Sequence, residues 1–249
     1  MERLRAAITL FTRIPAWKGR EISASAYSSA VIFWPYTGWI SGGITAAAIL
    51  LLSYVFPMTP TVIMALIIRL LLCGALHEDG LADFCDGFGG GGDKERILRI
   101  MKDSHIGTYG VIALICYFLL TFCLLVSLPP LAAALAIFAA DPFSKFCASQ
   151  ITGILEYARP EGSKNKISYT PMSPGGFLVN MTGGILPFIP LTFIIPKTIA
   201  GIVLPLLMLT FLVSLMKKKL GGYTGDCCGA TYLLCEISLL SGIVFLIYL

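Results

Sequence analysis

Asp79, Asp83 and Asp86 stand at i, i+4 and i+7, so at about 100° per residue a helix gathers their carboxylates within roughly 60° of one face. They belong to the segment Leu76 to Gly110, LHEDGLADFCDGFGGGGDKERILRIMKDSHIGTYG, which holds half of the fourteen acidic residues and both histidines of the 249-residue chain. Like charges so placed repel, and only protonation, basic partners or bound cations compensate them. Carboxylate oxygens are the ligands that Mg²⁺, Mn²⁺ and Ca²⁺ prefer. A solvated, capped helix end is the plainer reading and would be favoured in a soluble protein. Here the cluster abuts the apolar run Val62 to Ala75, and ionisable groups at membrane depth mark functional sites, so metal binding is the expectation.

The neighbouring residues fit chemistry on phosphates. The glycine run Gly87 to Gly92 formally satisfies G-x-G-x-x-G, but no strand precedes it and no βαβ unit can surround it, which excludes a dinucleotide fold. Beside acids, such a run still lets backbone N–H groups approach a phosphate closely. Asp93 is placed to cap a short helix over Lys94 to Lys102 with an apolar stripe of Ile97, Ile100 and Met101. Arg96 and Arg99 lie on another face, either as interfacial cations or as planar donor forks for phosphate oxygens. Asp103 follows that helix. His77-Glu78 starts like H-E-x-x-H, but Leu81 fills the second histidine's place and the zinc-protease motif fails.

The elements that must position these groups are membrane helices. With 57% hydrophobic and 13% charged residues and a mean hydropathy of +0.84, the chain belongs to the multi-span helical membrane proteins. The N-terminus interleaves charges with apolar residues where a signal peptide needs a compact apolar core, and reads as an amphipathic helix on the membrane surface over about residues 1–14. Seven spans follow: Ala30 to Phe56, Thr61 to Leu76, Ile106 to Leu128, Leu131 to Leu155, Phe177 to Ile195, Ile199 to Met216 and Ala230 to Leu249. The expected fold class is therefore all-α, a polytopic helix bundle forming one domain over 1–249, with the active segment at about 77–105.

Placing the N-terminus in the cytoplasm puts fifteen lysines and arginines on that side and leaves only Lys197 opposite, the asymmetry of the positive-inside rule. The acidic segment, Glu156 to Gly176 and Lys217 to Gly229 then all face the cytoplasm. The last two are polar loops, and the turn LGGYTGDCCG puts Asp226 at the mouth of the final span. Inside the spans, Arg69, Asp141, Lys145 and Glu236 can neutralise one another as one network. The eight cysteines include no C-x-x-C pair, and those on the reducing side argue against structural disulfides.

At this point the motifs carry a resemblance. H-x-D-G-L-A-D-x-x-D-G (His77 to Gly87), M-K-D-S-x-I-G-T-Y-G (Met101 to Gly110), Y-A-R-x-E-G (Tyr157 to Gly162), G-G-x-T-G-D-x-x-G-A (Gly221 to Ala230) and the early F-T-R-I-P (Phe11 to Pro15) run in family order across nearly the whole chain. Together the sequence resembles the cobalamin synthase family of adenosylcobinamide-GDP ribazoletransferases, enzymes of the bacterial and archaeal cytoplasmic membrane. D-x-x-D-G at Asp83 to Gly87 is distantly similar to the CDP-alcohol phosphotransferases as well. Against the family pattern, His105 and Lys145 stand where arginine is usual, and Glu78 stands where an apolar residue is.

The resemblance implies transfer of phosphoryl-cobinamide from its GDP-activated form to α-ribazole or its 5′-phosphate, with release of GMP and dependence on Mg²⁺. It implies metal ligation by Asp79, Asp83, Asp86 and Asp103, with Asp103 as a further ligand or as the base. It implies substrate contacts from His77, Arg96, Arg99, Lys102, Arg159, Glu161, Thr224 and Asp226. The expected partners are those two small-molecule substrates and the lipid bilayer, with no nucleic acid and a homo-oligomer left open. The competing class is a transporter with an ion path along the intramembrane charges. It predicts ionisable groups spread toward the midplane and inverted repeats, whereas most acids cluster at one end and no repeat is visible.

Overall fold

The structure, a computed structural model, describes residues 1–16, 18, 21–158 and 169–249. Among them the regular elements are helices, with one isolated bridge joining Tyr157 to Tyr223. In chain order they are α1 (Glu2–Phe11), α2 (Ala24–Ser28), α3 (Trp34–Leu52), α4 (Met58–Cys73), α5 (Leu76–Gly90), α6 (Lys94–Ile100), α7 (Thr108–Val126), α8 (Pro130–Ile154), α9 (Pro174–Ile185), α10 (Ile189–Ile194), α11 (Val203–Leu220) and α12 (Gly225–Tyr248). Among the described residues six helical stretches are long and apolar enough to cross a membrane, or seven if the bent pair of α4 and α5 counts as one span. The chain is an all-α, multi-pass membrane bundle.

Small residues set its centre. Gly38 and Gly42 form a small-x-x-x-small stripe on α3, and a Cβ on Gly38 would lie 2.7 Å from the Cα of Pro142 on α8. Side chains that small let two apolar helices gain packing where no hydrophobic effect separates protein from lipid. The facing helix answers with buried Ala133, Ala136, Ala139 and Ala140. The second central helix, α12, packs against α5, α8 and α11.

One expectation changes in form. The span expected over Thr61 to Leu76 stops at Cys73, and α5 leaves it at 90°. Gly74 (φ +72°) and Ala75 (φ +57°) both take the left-handed conformation, which is easy for glycine and costs an alanine about 1–2 kcal/mol. The N-terminal segment holds the corner shut. Arg13 N–H donates to the Leu72 carbonyl at 2.7 Å, and the Arg13 side chain lies so close over Gly74 that a Cβ there would meet its Nε at 2.3 Å. Thr12 turns the chain by donating to the Ile8 carbonyl and accepting from Ile14 N–H. The F-T-R-I-P motif is thus a clamp on the α4–α5 corner. The face that α1 buries is Ala6, Ala7 and Phe11, so this helix packs on the bundle itself as well as presenting an amphipathic surface.

The intramembrane charges meet as two pairs. Arg69 donates twice to Glu236, at 2.9 and 2.7 Å, and Tyr117 OH donates to the same carboxylate at 2.8 Å. Lys145 lies 2.6 Å from Asp141, with Ser41 bonded to both. Tyr232 links the pairs: its ring sits under both cations, 4.9 Å from Lys145 Nζ and 5.9 Å from Arg69 Cζ. Both acids are therefore matched to bases as expected, in two bidentate or bridged units joined by an aromatic ring.

Two outcomes follow. Removing one partner of a buried pair strands the other charge and costs about 3–5 kcal/mol, whereas exchanging both for apolar groups is often near neutral. Glu236→Leu should therefore lower the melting temperature in detergent strongly, and the Arg69→Met, Glu236→Leu double substitution should recover most of the loss; failure to recover would deny the pairing. For topology, Tyr248 OH bonds the Ser127 carbonyl, which puts the α12 end beside the α7–α8 turn. The polar segments Glu156–Ala158 and Gly222–Tyr223 join at the other end. A reporter fused after Lys219 should read cytoplasm and one fused after Leu249 the opposite side; the same side for both would contradict seven crossings.

Candidate active site

The corner delivers α5 across one end of the bundle, and glycines decide how close it comes. Gly80 of α5 touches α12, where a Cβ would lie 3.2 Å from the Asp226 Cα. Gly229 of α12 answers, with a would-be Cβ 3.3 Å from the His77 carbonyl oxygen. The glycines of H-x-D-G and G-D-x-x-G therefore bring two backbones into contact. As a result His77, Asp79 and Asp226 line one cavity of about 250 Å³. Thr224 starts α12 by accepting from Cys227 N–H, and its hydroxyl donates to Asp226 at 3.2 Å.

Along α5 the three aspartates share a face as their spacing requires, but their surroundings differ. Asp79 is exposed, Asp83 half-buried and Asp86 buried. Asp86 accepts Gly107 N–H at 2.7 Å on one oxygen and Gly110 N–H at 2.9 Å on the other. It caps the positive N-terminal end of α7, where unpaired N–H groups and the helix dipole favour an anion. Gly107 and Gly110 are needed because a Cβ at either would meet an Asp86 oxygen at 2.4 Å. Asp86, expected as a metal ligand alongside Asp79 and Asp83, is thus also a structural tie, with each of its oxygens accepting one backbone N–H that holds α5 to α7.

The glycine run is corrected. Gly87, Gly89 and Gly90 lie within α5, whose backbone N–H groups are used in the helix, and Gly91 N–H donates to the Gly87 carbonyl. Met101 packs on Gly87, Tyr109 on Gly89 and Ile97 on Gly91, each where a Cβ would intrude to 2.7 Å or less. From Gly87 to Gly91 the run is a packing floor for α6 and Tyr109, with its N–H groups used within the helix. Asp93 caps α6 as expected, accepting from Arg96 N–H at 2.8 Å.

Arg96, Arg99 and Lys102 are exposed on and after α6 and line no part of the 250 Å³ cavity. Asp103 is also exposed; its carboxylate accepts from His105 at 2.7 Å, and that hydrogen bond holds it below the usual carboxylate range. Such a group is a weaker proton acceptor. Arg159 and Glu161 lie outside the described residues. Among the described residues no three His, Cys, Asp or Glu side chains stand close enough together to hold a metal ion. The residues that sequence reasoning did not single out are Trp34, Tyr157 and Tyr169, which line the same cavity, and Arg13, which clamps the corner.

The capping role of Asp86 has its own test. Asp86→Ala should destabilise the protein by about 2 kcal/mol through loss of two charge-assisted backbone bonds, and Gly110→Ala should do the same by displacing the carboxylate. Asp79→Asn, at an exposed position, should stay within about 0.5 kcal/mol of the parent. Thermal unfolding in detergent checks all three, and an unaffected Asp86→Ala variant would deny the cap.

Comparison with known proteins agrees with the geometry. The family description "Cobalamin-5-phosphate synthase" (CobS) matches residues 3–244. The adenosylcobinamide-GDP ribazoletransferase of Shewanella sp. (strain W3-18-1) is 36% identical over 238 residues, covering 93% of this chain and 89% of that protein. The protein of the same name from Leptospira interrogans serogroup Icterohaemorrhagiae serovar copenhageni is 34% identical over 226 residues, 88% of this chain and 85% of its own. No solved structure matches the chain. A family match over residues 3–244, with relatives 34% and 36% identical across about nine-tenths of the chain, shows that the chain belongs to the cobalamin-5-phosphate synthase (CobS) family.

Proposed function

We propose that this protein transfers the phosphoryl-cobinamide group of adenosylcobinamide-GDP to α-ribazole or its 5′-phosphate, releasing GMP, as a Mg²⁺-dependent phosphotransferase of the EC 2.7.8 class. The observation that carries the reading is the contact of Gly80 with the start of α12, which puts Asp79 and Asp226 in the wall of one cavity. In the transfer, a ribose hydroxyl oxygen other than the 5′ oxygen, which is esterified in the 5′-phosphate form, bonds to the cobinamide-linked phosphorus, the bond from that phosphorus to the GMP oxygen breaks with GMP leaving, and the hydroxyl proton passes to a carboxylate or to water. Such chemistry asks the protein for positioning and charge neutralisation above all.

Mg²⁺ is usually held by one or two carboxylates together with substrate phosphates and water. Asp79 and Asp83, on one face of α5 with at least partial solvent access, suit that donor set, and Asp103, which follows α6, is the further carboxylate that the resemblance implies. Bound there, the ion would neutralise the pyrophosphate charge. Asp86 supports this face by fixing α5 to α7, and Asp103 serves as a further ligand or as the base toward the attacking hydroxyl. Arg96, Arg99 and Lys102 give the same end a positive surface facing the donor's phosphates. The site faces the cytoplasm of the inner membrane on the strength of the basic asymmetry. A transporter reading is less well supported, because Arg69, Asp141, Lys145 and Glu236 are tied to one another in packed protein.

The purified protein, supplied with adenosylcobinamide-GDP, α-ribazole and Mg²⁺, should form the cobalamin product and GMP, and excess EDTA should stop turnover. Asp79→Asn and Asp83→Asn should each lower turnover by at least about 10²-fold while the protein purifies normally, because a ligating carboxylate loses the charge a divalent cation requires. Asp103→Asn should recover part of its loss at high Mg²⁺. Full activity of the Asp79→Asn, Asp83→Asn double variant would overturn the proposal.

A further inference from the structure

The cavity that carries His77, Asp79 and Asp226 has a second character that phosphoryl transfer does not explain. Away from the carboxylates its wall is aromatic: Phe11, Trp34, His77, Tyr157 and Tyr169 all line it. The rings of Phe11, Trp34 and His77 lie within 19° of parallel, with centroids 4.7 to 6.3 Å apart. Trp34 and His77 are only 2% and 3% exposed, yet Trp34 Nε1 and His77 Nε2 have no hydrogen-bond partner among the described residues. Buried polar nitrogens are nearly always paired, so two orphans in one aromatic wall point to a partner beyond the described residues.

We propose that this cavity seats the base of the acceptor, a fused bicyclic aromatic heterocycle with one acceptor nitrogen and an otherwise apolar perimeter. The benzimidazole of a ribazole has that description. The inference rests on the transferase reading and adds which part of which substrate the cavity takes. Three fragments compete for it. A volume of about 250 Å³ lies below the usual range for drug-sized ligands and excludes a corrin ring. Guanine presents donors as well as acceptors along its edges, whereas the orphan Trp34 nitrogen is a donor only and His77 Nε2 is a donor in one neutral tautomer. A guanine could instead bring its N–H donors to the Asp79 and Asp226 carboxylates of the same cavity, and competition by GMP tells the two bases apart. Parallel aromatic faces with unsatisfied donors suit a flat base that brings a single lone pair. Seated there, the base would leave its ribose directed to the carboxylates that line the same cavity.

The test reads binding of α-ribazole alone to the full-length protein in lipid nanodiscs, without corrinoid donor or Mg²⁺. Titration should quench tryptophan fluorescence saturably, and Trp34→Phe should abolish the quenching although Trp17 and Trp39 remain. GMP at the same concentrations should neither quench nor displace α-ribazole. His77→Phe, which keeps a ring and removes the nitrogens, should weaken α-ribazole binding at least tenfold, and His77→Gln should recover part of it. Should Trp34→Phe not purify as a single species, equilibrium dialysis of α-ribazole against Tyr169→Ala takes its place, again with at least a tenfold loss expected. Competition by GMP, or α-ribazole binding indifferent to these substitutions, overturns the assignment. The two readings separate cleanly. Bound α-ribazole without turnover would fail the transferase and spare the site, while turnover with an unchanged ribazole KM in His77→Phe would fail the site and spare the transferase.

Discussion

The right-angle turn between Cys73 and Leu76 is the constraint on which the rest of the structure depends. A helix that left the membrane straight would carry its aspartates up and away from the bundle. Turned at once, it lies across the bundle end, where α12 and α7 can reach it. Two consecutive residues in the left-handed region are unfavourable when one is alanine, so the turn persists only because other parts hold it. Arg13 does so from the N-terminal side, Gly80 and Gly229 allow α12 to close from below, and Asp86 ties the far end to α7. Each tie comes from a different sequence motif, which explains why the motifs are scattered along the chain yet converge in space.

This division of labour separates acids of similar appearance. On sequence, Asp79, Asp83 and Asp86 are one periodic set; in the fold, burial grades along α5 and the innermost member becomes a cap for a neighbouring helix. The same logic governs the glycines. A helix of ordinary residues at positions 87 to 91 would stand off from Met101, Tyr109 and Ile97, and α6 would lose its seat. Glycine is chosen there for closeness between elements, at the cost of about 1 kcal/mol of helix propensity per residue.

Much of this was legible in the chain itself. Apolar runs of 16 to 27 residues and the segregation of basic residues specify the spans, and Asp93 before a short periodic stretch specifies α6. The pairing of two intramembrane bases with two acids follows from the cost of leaving any of them alone. Three things were not legible. The right angle depends on Arg13 reaching Leu72, a contact between residues nearly sixty positions apart that no local pattern announces. The capping role of Asp86 needs the position of Gly107 and Gly110, which periodicity within α5 does not contain. The aromatic wall draws Phe11, Trp34, Tyr157 and Tyr169 from four separate stretches, and each of them reads locally as an ordinary apolar or interfacial residue.

The ion pairs also bear on how the chain is made. Arg69 lies on α4 and its partner Glu236 on α12, 167 residues later, so during synthesis the arginine enters the membrane region long before its counter-ion exists. Until then it carries an insertion cost of about 2.5–3.5 kcal/mol on translocon scales. Asp141 and Lys145, by contrast, arrive together on α8 and meet Ser41 on a helix already in place. The bundle therefore has an early-settling half around α3 and α8 and a late-settling half that waits for the last helix. A chain halted before α12 leaves the Arg69 guanidinium without its carboxylate, and the last helix supplies both acceptor oxygens in one step.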